Sequence, residues 1–463
     1  MKVNTEGFIW KLDYFELSRV FLYEELNSET TVNYSLSNDI FSLEILGDDR
    51  NYFDEIVIDK SIFSNNFKNQ IKHHIYQLLS KKTGKELPWG ILTGIRPLKL
   101  IRNMMKDYSH DELIELLKNE YLFSYDSIVL AIDIINRQID VLKNLNDDTY
   151  SVYIDIPFCP SKCNYCSYKT YMPNDELVSA YVDTLIMEIE HFGRLYKTYP
   201  ETIYIGGGTP SAIPVFQLEK IIDSVNRVFG KSKEFTVEIG RPDTINRELL
   251  QMLKSKSVDR ISINPQSFND KTLKAIGRQH SASDIIEKYN LALEYEFDSI
   301  NMDLIIGLND ESEEDVLYSL KEIKELSPDN LTVHSLAIKK GSALEENNSK
   351  VYVDYDKIDK VTKKFALSNG YYPYYLYRQK RIVGNGENIG YCKSGKESIY
   401  NILMMEDIGD VLGLGLSSIS KFIDRDTKEL VRHFNPKDIK YYIDNFSIYV
   451  DSKEELIKNK DGN

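Results

Sequence analysis

Tyr153-Ile154-Asp155-Ile156-Pro157-Phe158-Cys159-Pro160-Ser161-Lys162-Cys163-Asn164-Tyr165-Cys166 is the stretch on which the reading of this chain turns. A β-rich run at 150–156 leads directly into a loop that holds three of the four cysteines, Cys159, Cys163 and Cys166. Three thiolates at spacings of four and three residues can converge on one small inorganic cubane if the loop wraps around it, and iron–sulfur clusters require thiolate ligation. With three local ligands, a 4Fe-4S cluster keeps one iron open to an outside ligand, the feature that separates catalytic from structural metal sites. The alternative is zinc held by the same three cysteines and a distant ligand such as Cys392 or a histidine, although zinc sites usually come as paired Cys-x₂₋₄-Cys knuckles. Four cysteines in 463 residues are too sparse for a disulfide scaffold. Cys392 has no cysteine neighbour and reads as an ordinary small buried residue.

Outward from this loop, short β-rich runs alternate with amphipathic helical patterns. Strands are predicted at 150–156, 202–205, 234–239, 260–264, 299–305 and 330–336, with helices at 175–197, 215–229, 246–254, 283–294 and 312–326. Such alternation indicates a parallel sheet built from right-handed βαβ units. Six strands so connected form a doubly wound open sheet or an incomplete barrel, and periodicity alone leaves both open.

The flanks read differently. Residues 1–147 are predicted as an α+β accessory domain, with alternation at 8–14 and in part of 34–46 pointing to strands, and helical spacing from His73 onward and through 127–144. Trp89-Gly90-Ile91-Leu92-Thr93-Gly94-Ile95-Arg96-Pro97 reads as an ordered loop whose Arg96 is structural or faces a ligand. Residues 148–345 form the α/β core, and 346–463 are expected as a small, mostly helical closing domain with a frayed tail from Asp451. The composition is that of a globular protein, with 42% hydrophobic and 28% charged residues. No 18-residue apolar run is present, and the start of the chain lacks a signal-peptide layout, so no membrane span and a cytoplasmic location are expected. The net charge of −15 argues against broad nucleic-acid binding.

Tyr153-Ile-Asp-Ile-Pro-Phe-Cys-x₃-Cys-x-Tyr-Cys166 resembles the radical S-adenosylmethionine (SAM) enzymes of the oxygen-independent coproporphyrinogen III oxidase family. The resemblance implies a radical SAM partial (β/α)6 barrel. It also implies a 4Fe-4S cluster whose free iron chelates SAM, and reductive cleavage of SAM to a 5′-deoxyadenosyl radical. Cys159, Cys163 and Cys166 would be the cluster ligands.

Other motifs fall in line with it. Gly206-Gly207-Gly208-Thr209-Pro210-Ser211 ends the second strand; by itself it is a turn that lets backbone approach a ligand, and it resembles the family's glycine motif that holds the amino end of SAM. By the same resemblance Tyr153, Gly207, Glu238 and Tyr165 serve the first SAM. Gly208, Thr209, Gln266, Arg278, Asp303 and Ala337 line a second SAM or the substrate pocket. Taken singly, Glu238 and Asp303 are equally internal ion-pair partners, Arg278 a surface salt bridge and Gln266 a loop cap. Their common placement near carboxyl ends of consecutive strands is where parallel α/β folds build sites. His280 and His334 read as proton carriers or as satisfied core histidines.

Tyr375-Leu-Tyr377-Arg378-Gln379-Lys380, with Asn385, Glu387, Asn388 and Gly390-Tyr391, resembles the HemZ-like subgroup, which also carries an additional amino-terminal domain. Gly413-Leu-Gly415-Leu-Ser417-Ser418 resembles that family's glycine turn near the substrate. Arg378, Lys380 and Arg381 suit a substrate bearing propionates or, equally, form a solvated basic turn. Two positions depart from the decarboxylating enzymes. Those enzymes follow the third cluster cysteine with Gly-Cys, where Ser167 and Tyr168 stand here, and they usually carry histidine in place of Asp155. These departures bear on the porphyrinogen chemistry rather than on SAM and cluster binding. The resemblance implies a tetrapyrrole substrate, one SAM or two, and an electron donor such as flavodoxin or ferredoxin. The activity implied is oxidative decarboxylation of coproporphyrinogen III. The rival readings are a radical SAM methyltransferase or haem-opening enzyme, and a haem-binding carrier that kept the fold.

Overall fold

The structure is a computed structural model that describes residues 1–8, 11–22, 30–47, 51–63, 66–145, 148–308, 311–337, 342, 354–379, 382, 386–424, 427 and 429–460. The chain divides into two compact units. One comprises Met1–Asn136 with Leu376–Asn385, the other Arg137–Tyr375 with Gly386–Asn463.

The first unit contains a four-stranded sheet, β1 (Lys2–Glu6), β2 (Thr31–Ser37), β3 (Ile40–Leu46) and β4 (Tyr52–Val57), in that order. Asn38 and Asp39, at φ 50° and 63°, turn β2 into β3. Two consecutive left-handed residues match the twist of a tight antiparallel hairpin. Val32, Tyr34, Phe41, Leu43 and Ile45 from one face of this hairpin are buried together with Ile71, Ile75 and Leu79 of the helix Phe67–Thr83. The strand expected at 8–14 is not formed: Lys11–Phe21 is a helix. Tyr14, Leu17, Phe21 and Leu22 are buried at helical spacing, so the longer 3.6-residue period overrides a brief alternation. The Trp89 loop is ordered as expected. Trp89 is buried and bridges Phe123, and Arg96 stands at the N-cap position of the helix Pro97–Met104 without a side-chain capping bond. Arg378 is neither a solvated turn nor a free anion receptor. It is buried, its Nη1 donates to the Leu92 carbonyl at 2.9 Å, and its backbone N–H donates to Ile95 at 2.8 Å. Lys380, Arg381 and Asn385 lie outside the described residues.

The second unit is organised by one large sheet. Its strands are β5 (Tyr150–Ile156), β6 (Thr202–Gly207), β7 (Glu234–Glu238), β8 (Arg260–Ser262), β9 (Ser299–Ile306), β10 (Asn330–Ser335), β11 (Tyr372–Tyr377), β12 (Asn388–Cys392), β13 (Asp410–Leu414), β14 (Ile419–Ile423) and β15 (Leu430–Phe434). The order is β11-β12-β10-β9-β8-β7-β6-β5-β13-β14-β15. β5 to β10 are parallel and adjacent in sequence order. A doubly wound sheet reverses its order at a switch point; this run never does, which settles the choice left open by periodicity in favour of barrel-type winding. The connecting helices start where the sequence offers caps. Asn174, Asn246, Ser281 and Ser312 each accept a backbone N–H, the last two in capping boxes with Asp284 and Asp315.

Strands buried on both faces normally read as continuous apolar runs. Here they alternate. Val152, Ile154, Ile203, Ile205, Val237 and Ile261 are essentially fully buried on one face. The pleat sends Tyr153, Asp155, Tyr204, Gly206, Glu238 and Ser262 to the other. The sheet therefore has one apolar face and one lined with polar and aromatic groups.

Residues 346–463 carry more helix than strand, as expected. Among the described residues they also supply five strands, and β13 joins the sheet directly beside β5. The tail expected to fray from Asp451 is instead part of the helix Phe446–Lys460. Its Lys453 side chain is 0% exposed and ion-pairs with the equally buried Glu188 at 2.6 Å. Glu188 also accepts from Gly415 N, Asn435 Nδ2 and Tyr442 OH, each at 2.7–2.8 Å, so all of its lone-pair directions are in use. A charged sequence end is thus consistent with burial because the charge is paired and hydrogen-bonded.

Candidate active site

The cysteine loop leaves the carboxyl end of β5 and is closed at its neck. Cys159 N donates to Tyr171 O at 3.1 Å and Tyr171 N to Pro157 O at 2.9 Å. Its far side rests on the end of the short helix Asp270–Ala275. Asn164 donates from its backbone to Ile276 O at 3.1 Å and from its side chain to Ala275 O at 2.8 Å, and Ser161 Oγ donates to Gly277 O at 3.1 Å. Gly277 is at φ +81°, where a side chain would be strained and would press on the Lys162 carbonyl.

Each sulfur meets a polar partner. Cys159 Sγ lies 3.4 Å from Thr209 Oγ1, Tyr168 N donates to Cys166 Sγ at 3.4 Å, and Arg241 Nη1 donates to Cys163 Sγ at 3.7 Å. Burial raises the Cys159 thiol above its ordinary value, and the charges of Cys166 and Cys163 add to this. Three mutually repelling thiolates call for a positively charged core between them. Among the described residues no three His, Cys, Asp or Glu side chains stand together as the ligand set of one ion. A cluster asks for something wider, since each of its cysteine ligands occupies a different iron. The donor set of three thiols with hydrogen-bond donors aimed at them suits an iron–sulfur cluster. A second observation agrees: Asp155 Oδ1, Thr236 Oγ1, Asn264 Oδ1 and Gln266 Oε1 are buried around this end of the sheet without a hydrogen-bond partner. Four unpaired polar atoms at one end of the sheet are available to a bound ligand.

The glycine turn packs against the cysteine loop. Gly208 N donates to Ile156 O at 2.8 Å and Thr209 N to Phe158 O at 2.7 Å. A Cβ on Gly207, at φ +107°, would fall 2.3 Å from Asp155 Oδ1, and one on Gly208 would fall 2.6 Å from Phe158 O and 3.1 Å from Cys159 Sγ. Gly207, Gly208 and Thr209 are thus packed against Asp155 and the cysteine loop. Beside them Tyr153 stacks at 6.2 Å on Tyr204, which stacks at 4.4 Å on Tyr400.

Deeper along the polar face stand two carboxylates with opposed tendencies. Burial, reinforced by the charge of Asp303, pushes Glu238 up to about 7. Burial would raise Asp303 as well, but His334, Asn301 and Thr332 hold it below its ordinary value. Glu238 accepts from Tyr204 OH at 2.9 Å and Asn264 Nδ2 at 3.3 Å, and Asp303 lies 3.6 Å from His334 Nε2. Neighbouring acids whose affinities for protons are pushed apart are the arrangement that proton-handling sites use. Gln266 adopts φ +67°, unusual for a residue with a side chain, and its backbone pairs with β9 through Asp303 O and Ile305 N, both at 2.9 Å. Arg278 is not a surface salt bridge. It is buried, donating to Gly240 O at 3.1 Å, Asn264 O at 2.9 Å and the Tyr165 hydroxyl at 3.1 Å, so it clamps the cysteine loop to the ends of β7 and β8. Tyr165 accordingly points its hydroxyl at Arg278. Ala337 is buried just beyond β10. His280 sits 3.5 Å from Asp243.

Sequence reasoning overlooked three residues here. Arg241, 3% exposed, holds Ser161 Oγ at 3.1 Å as well as Cys163, and is itself fixed by Asp243 at 2.9 Å. Its signal was a basic residue three positions after Glu238 at a strand end. Tyr204 and Tyr400 had only the weaker signal of tyrosine on otherwise apolar runs. Tyr168, noted solely as a departure, donates its hydroxyl to Asp155 Oδ2.

Residues 153–323 match the model of the radical SAM superfamily. The chain is 40% identical over 450 residues to the oxygen-independent coproporphyrinogen-III oxidase-like protein HemZ of Bacillus subtilis, covering 93% of this chain and 89% of that one. It is 35% identical to the heme chaperone HemW of the same organism, over 41% of this chain and 50% of the relative. Among solved structures, coproporphyrinogen III oxidase (HemN) from Escherichia coli, a radical SAM enzyme, superposes with a TM-score of 0.55 at 21% identity over 79% of each chain, a likeness of fold. Since the match to HemZ runs through nearly the whole length of both chains, this protein belongs to the radical SAM superfamily of 4Fe-4S and S-adenosylmethionine enzymes, within the HemZ-containing coproporphyrinogen oxidase-like family.

Proposed function

We propose that the chain carries out oxygen-independent oxidative decarboxylation of coproporphyrinogen III to protoporphyrinogen IX in the cytoplasm, drawing electrons from a flavodoxin or ferredoxin. The observation that carries this reading is the likeness, over 93% of the chain, to a coproporphyrinogen-III oxidase-like protein; heme chaperones match over 41% to 66% of the chain and the Escherichia coli oxygen-independent coproporphyrinogen III oxidase over 40%. What a cluster and SAM supply when bound is a carbon radical able to take a hydrogen atom from a propionate β-carbon. Carbon dioxide then leaves, a vinyl group forms, and the remaining electron passes to a one-electron acceptor, once for each of two propionates.

The chain's own contribution is to bind, orient and exclude. Cys159, Cys163 and Cys166 hold the cluster, and Thr209, Arg241 and the Tyr168 N–H stabilise their sulfurs. Tyr153, Gly207 and Glu238 orient SAM, while Arg278 and Tyr165 keep the loop closed over it. Gln266, Asp303 and Ala337 border the substrate. A second reading, a haem carrier that kept the fold, draws support from the heme chaperone relatives.

Anaerobic incubation of the reconstituted protein with coproporphyrinogen III, SAM and a reductant distinguishes them. Protoporphyrinogen with matching release of carbon dioxide is the expected result. SAM cleavage that leaves the porphyrinogen unchanged overturns the substrate. Stoichiometric haem binding, seen as a Soret band without turnover, establishes the carrier instead.

A further inference from the structure

The two positions at which this sequence departs from the decarboxylating enzymes touch each other. Asp155 ends the polar row of β5, and Tyr168 lies across the cysteine loop, two residues beyond Cys166. The Tyr168 hydroxyl donates to Asp155 Oδ2, while its backbone N–H donates to Cys166 Sγ at 3.4 Å. One residue therefore ties the third cysteine, through its main chain, to the strand, through its phenol. Tyr153 stands two residues before Asp155 on the same face of β5 and stacks at 6.2 Å on Tyr204.

Asp155 is well placed to anchor such a strap. Its side chain is fully buried, its carbonyl is held by Tyr181 OH at 2.6 Å, and its second oxygen, Oδ1, abuts Gly207 where a Cβ would stand at 2.3 Å. Tyr181 OH in turn receives Leu416 N at 3.1 Å, so the anchor is backed by β5 and by the turn after β13. A histidine at 155 would bring a ring rather than a compact acceptor against the glycine turn. A cysteine at 168 is too short to span from the loop to the strand. Either exchange alone leaves the partner without its bond inside a buried site, and such orphaning costs more than the bond contributes.

We propose that Asp155 and Tyr168 are a coupled positioning pair that ties the Cys166 end of the cluster loop to β5, so that the two positions at which the sequence departs from the decarboxylating enzymes bear on the seating of S-adenosylmethionine as well as on the porphyrinogen chemistry. This rests on the radical SAM reading of the loop and not on the identity of the tetrapyrrole. The pair acts through Cys166.

The test uses the anaerobically reconstituted full chain with Tyr168→Phe, Asp155→Ala, Asp155→His, Tyr168→Cys and the double exchange Asp155→His/Tyr168→Cys. Iron content and circular dichroism report on the loop and fold. The reduced-cluster electron paramagnetic resonance spectrum with and without SAM, and KM and kcat for SAM cleavage by dithionite, report on positioning. Tyr168→Phe is expected to keep its iron and its kcat, to raise KM for SAM about tenfold, as the loss of one buried hydrogen bond does, and to blunt the SAM-induced spectral change. Each single exchange should be impaired, and the double exchange should lose less than the sum of the two single losses, the mark of a coupled pair. Should Tyr168→Phe fail to fold, Asp155→Ala serves in its place. A parental KM and spectrum in Tyr168→Phe and Asp155→Ala, or a double exchange whose losses simply add, overturns the proposal. A parent that cleaves SAM but leaves coproporphyrinogen untouched overturns the proposed function alone.

Discussion

Glu238 shows how one residue's surroundings become a measurable property of the fold. Its proton affinity rises from an ordinary 4.5 to about 7 on burial beside Asp303. Between those values the unfolded chain has lost this proton while the folded one keeps it, so Glu238 makes stability fall as pH rises and level off above about 7. Thermal unfolding of parent and Glu238→Gln from pH 5 to pH 8 checks the sign: the parent should lose stability relative to the variant across that interval. The glycine turn offers a second residue-level test. Gly208→Ala would drive a methyl group into Phe158 O and Cys159 Sγ, and the variant is expected to retain its circular dichroism but lose most of its iron after reconstitution. The cysteines, Gly207, Glu238 and Asp303 were legible in the sequence because their chemical types are conspicuous at strand ends. Arg241 was not, since nothing in a single arginine beside a proline tells that its guanidinium turns back onto a cysteine loop some 80 positions earlier. Arg278 was visible as a position, but its partners are two carbonyls and a phenol, and backbone acceptors leave no mark in a sequence.

At the scale of elements, the six parallel strands were recovered within a few residues at each end, because alternating or apolar runs between capped helices carry that information locally. The helix Lys11–Phe21 was misread because alternation over a handful of residues fits either period. The tail was misread because charge was taken for exposure. Helix Phe446–Lys460 is pinned by Lys453, whose Nζ reaches both Glu188 Oε1 at 2.6 Å and Gly413 O at 2.7 Å. Lys453→Met leaves the Glu188 carboxylate buried and uncompensated, and equilibrium urea unfolding should show a loss of about 3–5 kcal/mol. If the loss were near zero, the pair would not be the pin that places β13 beside β5.

Over the whole molecule, the parallel run, the polar face and the cysteine loop come together at one end of the large sheet, as parallel α/β folds require of a site. Order among the strands was beyond reach from sequence, since β13 pairs with β5 from more than 250 residues away and such pairing depends on tertiary packing rather than on local pattern. No helix among the described residues is long and apolar enough to cross a membrane. The central claim is that Cys159, Cys163 and Cys166 together hold a four-iron cluster. Mössbauer spectroscopy with iron and sulfide analysis, on protein reconstituted without air, tests it most directly. The account expects about four irons and four sulfides per chain with the signature of a 4Fe-4S centre, lost when any of the three cysteines is changed to serine and kept in Cys392→Ser. Colourless protein that retains one zinc per chain, or a cluster that survives removal of Cys163, would contradict it.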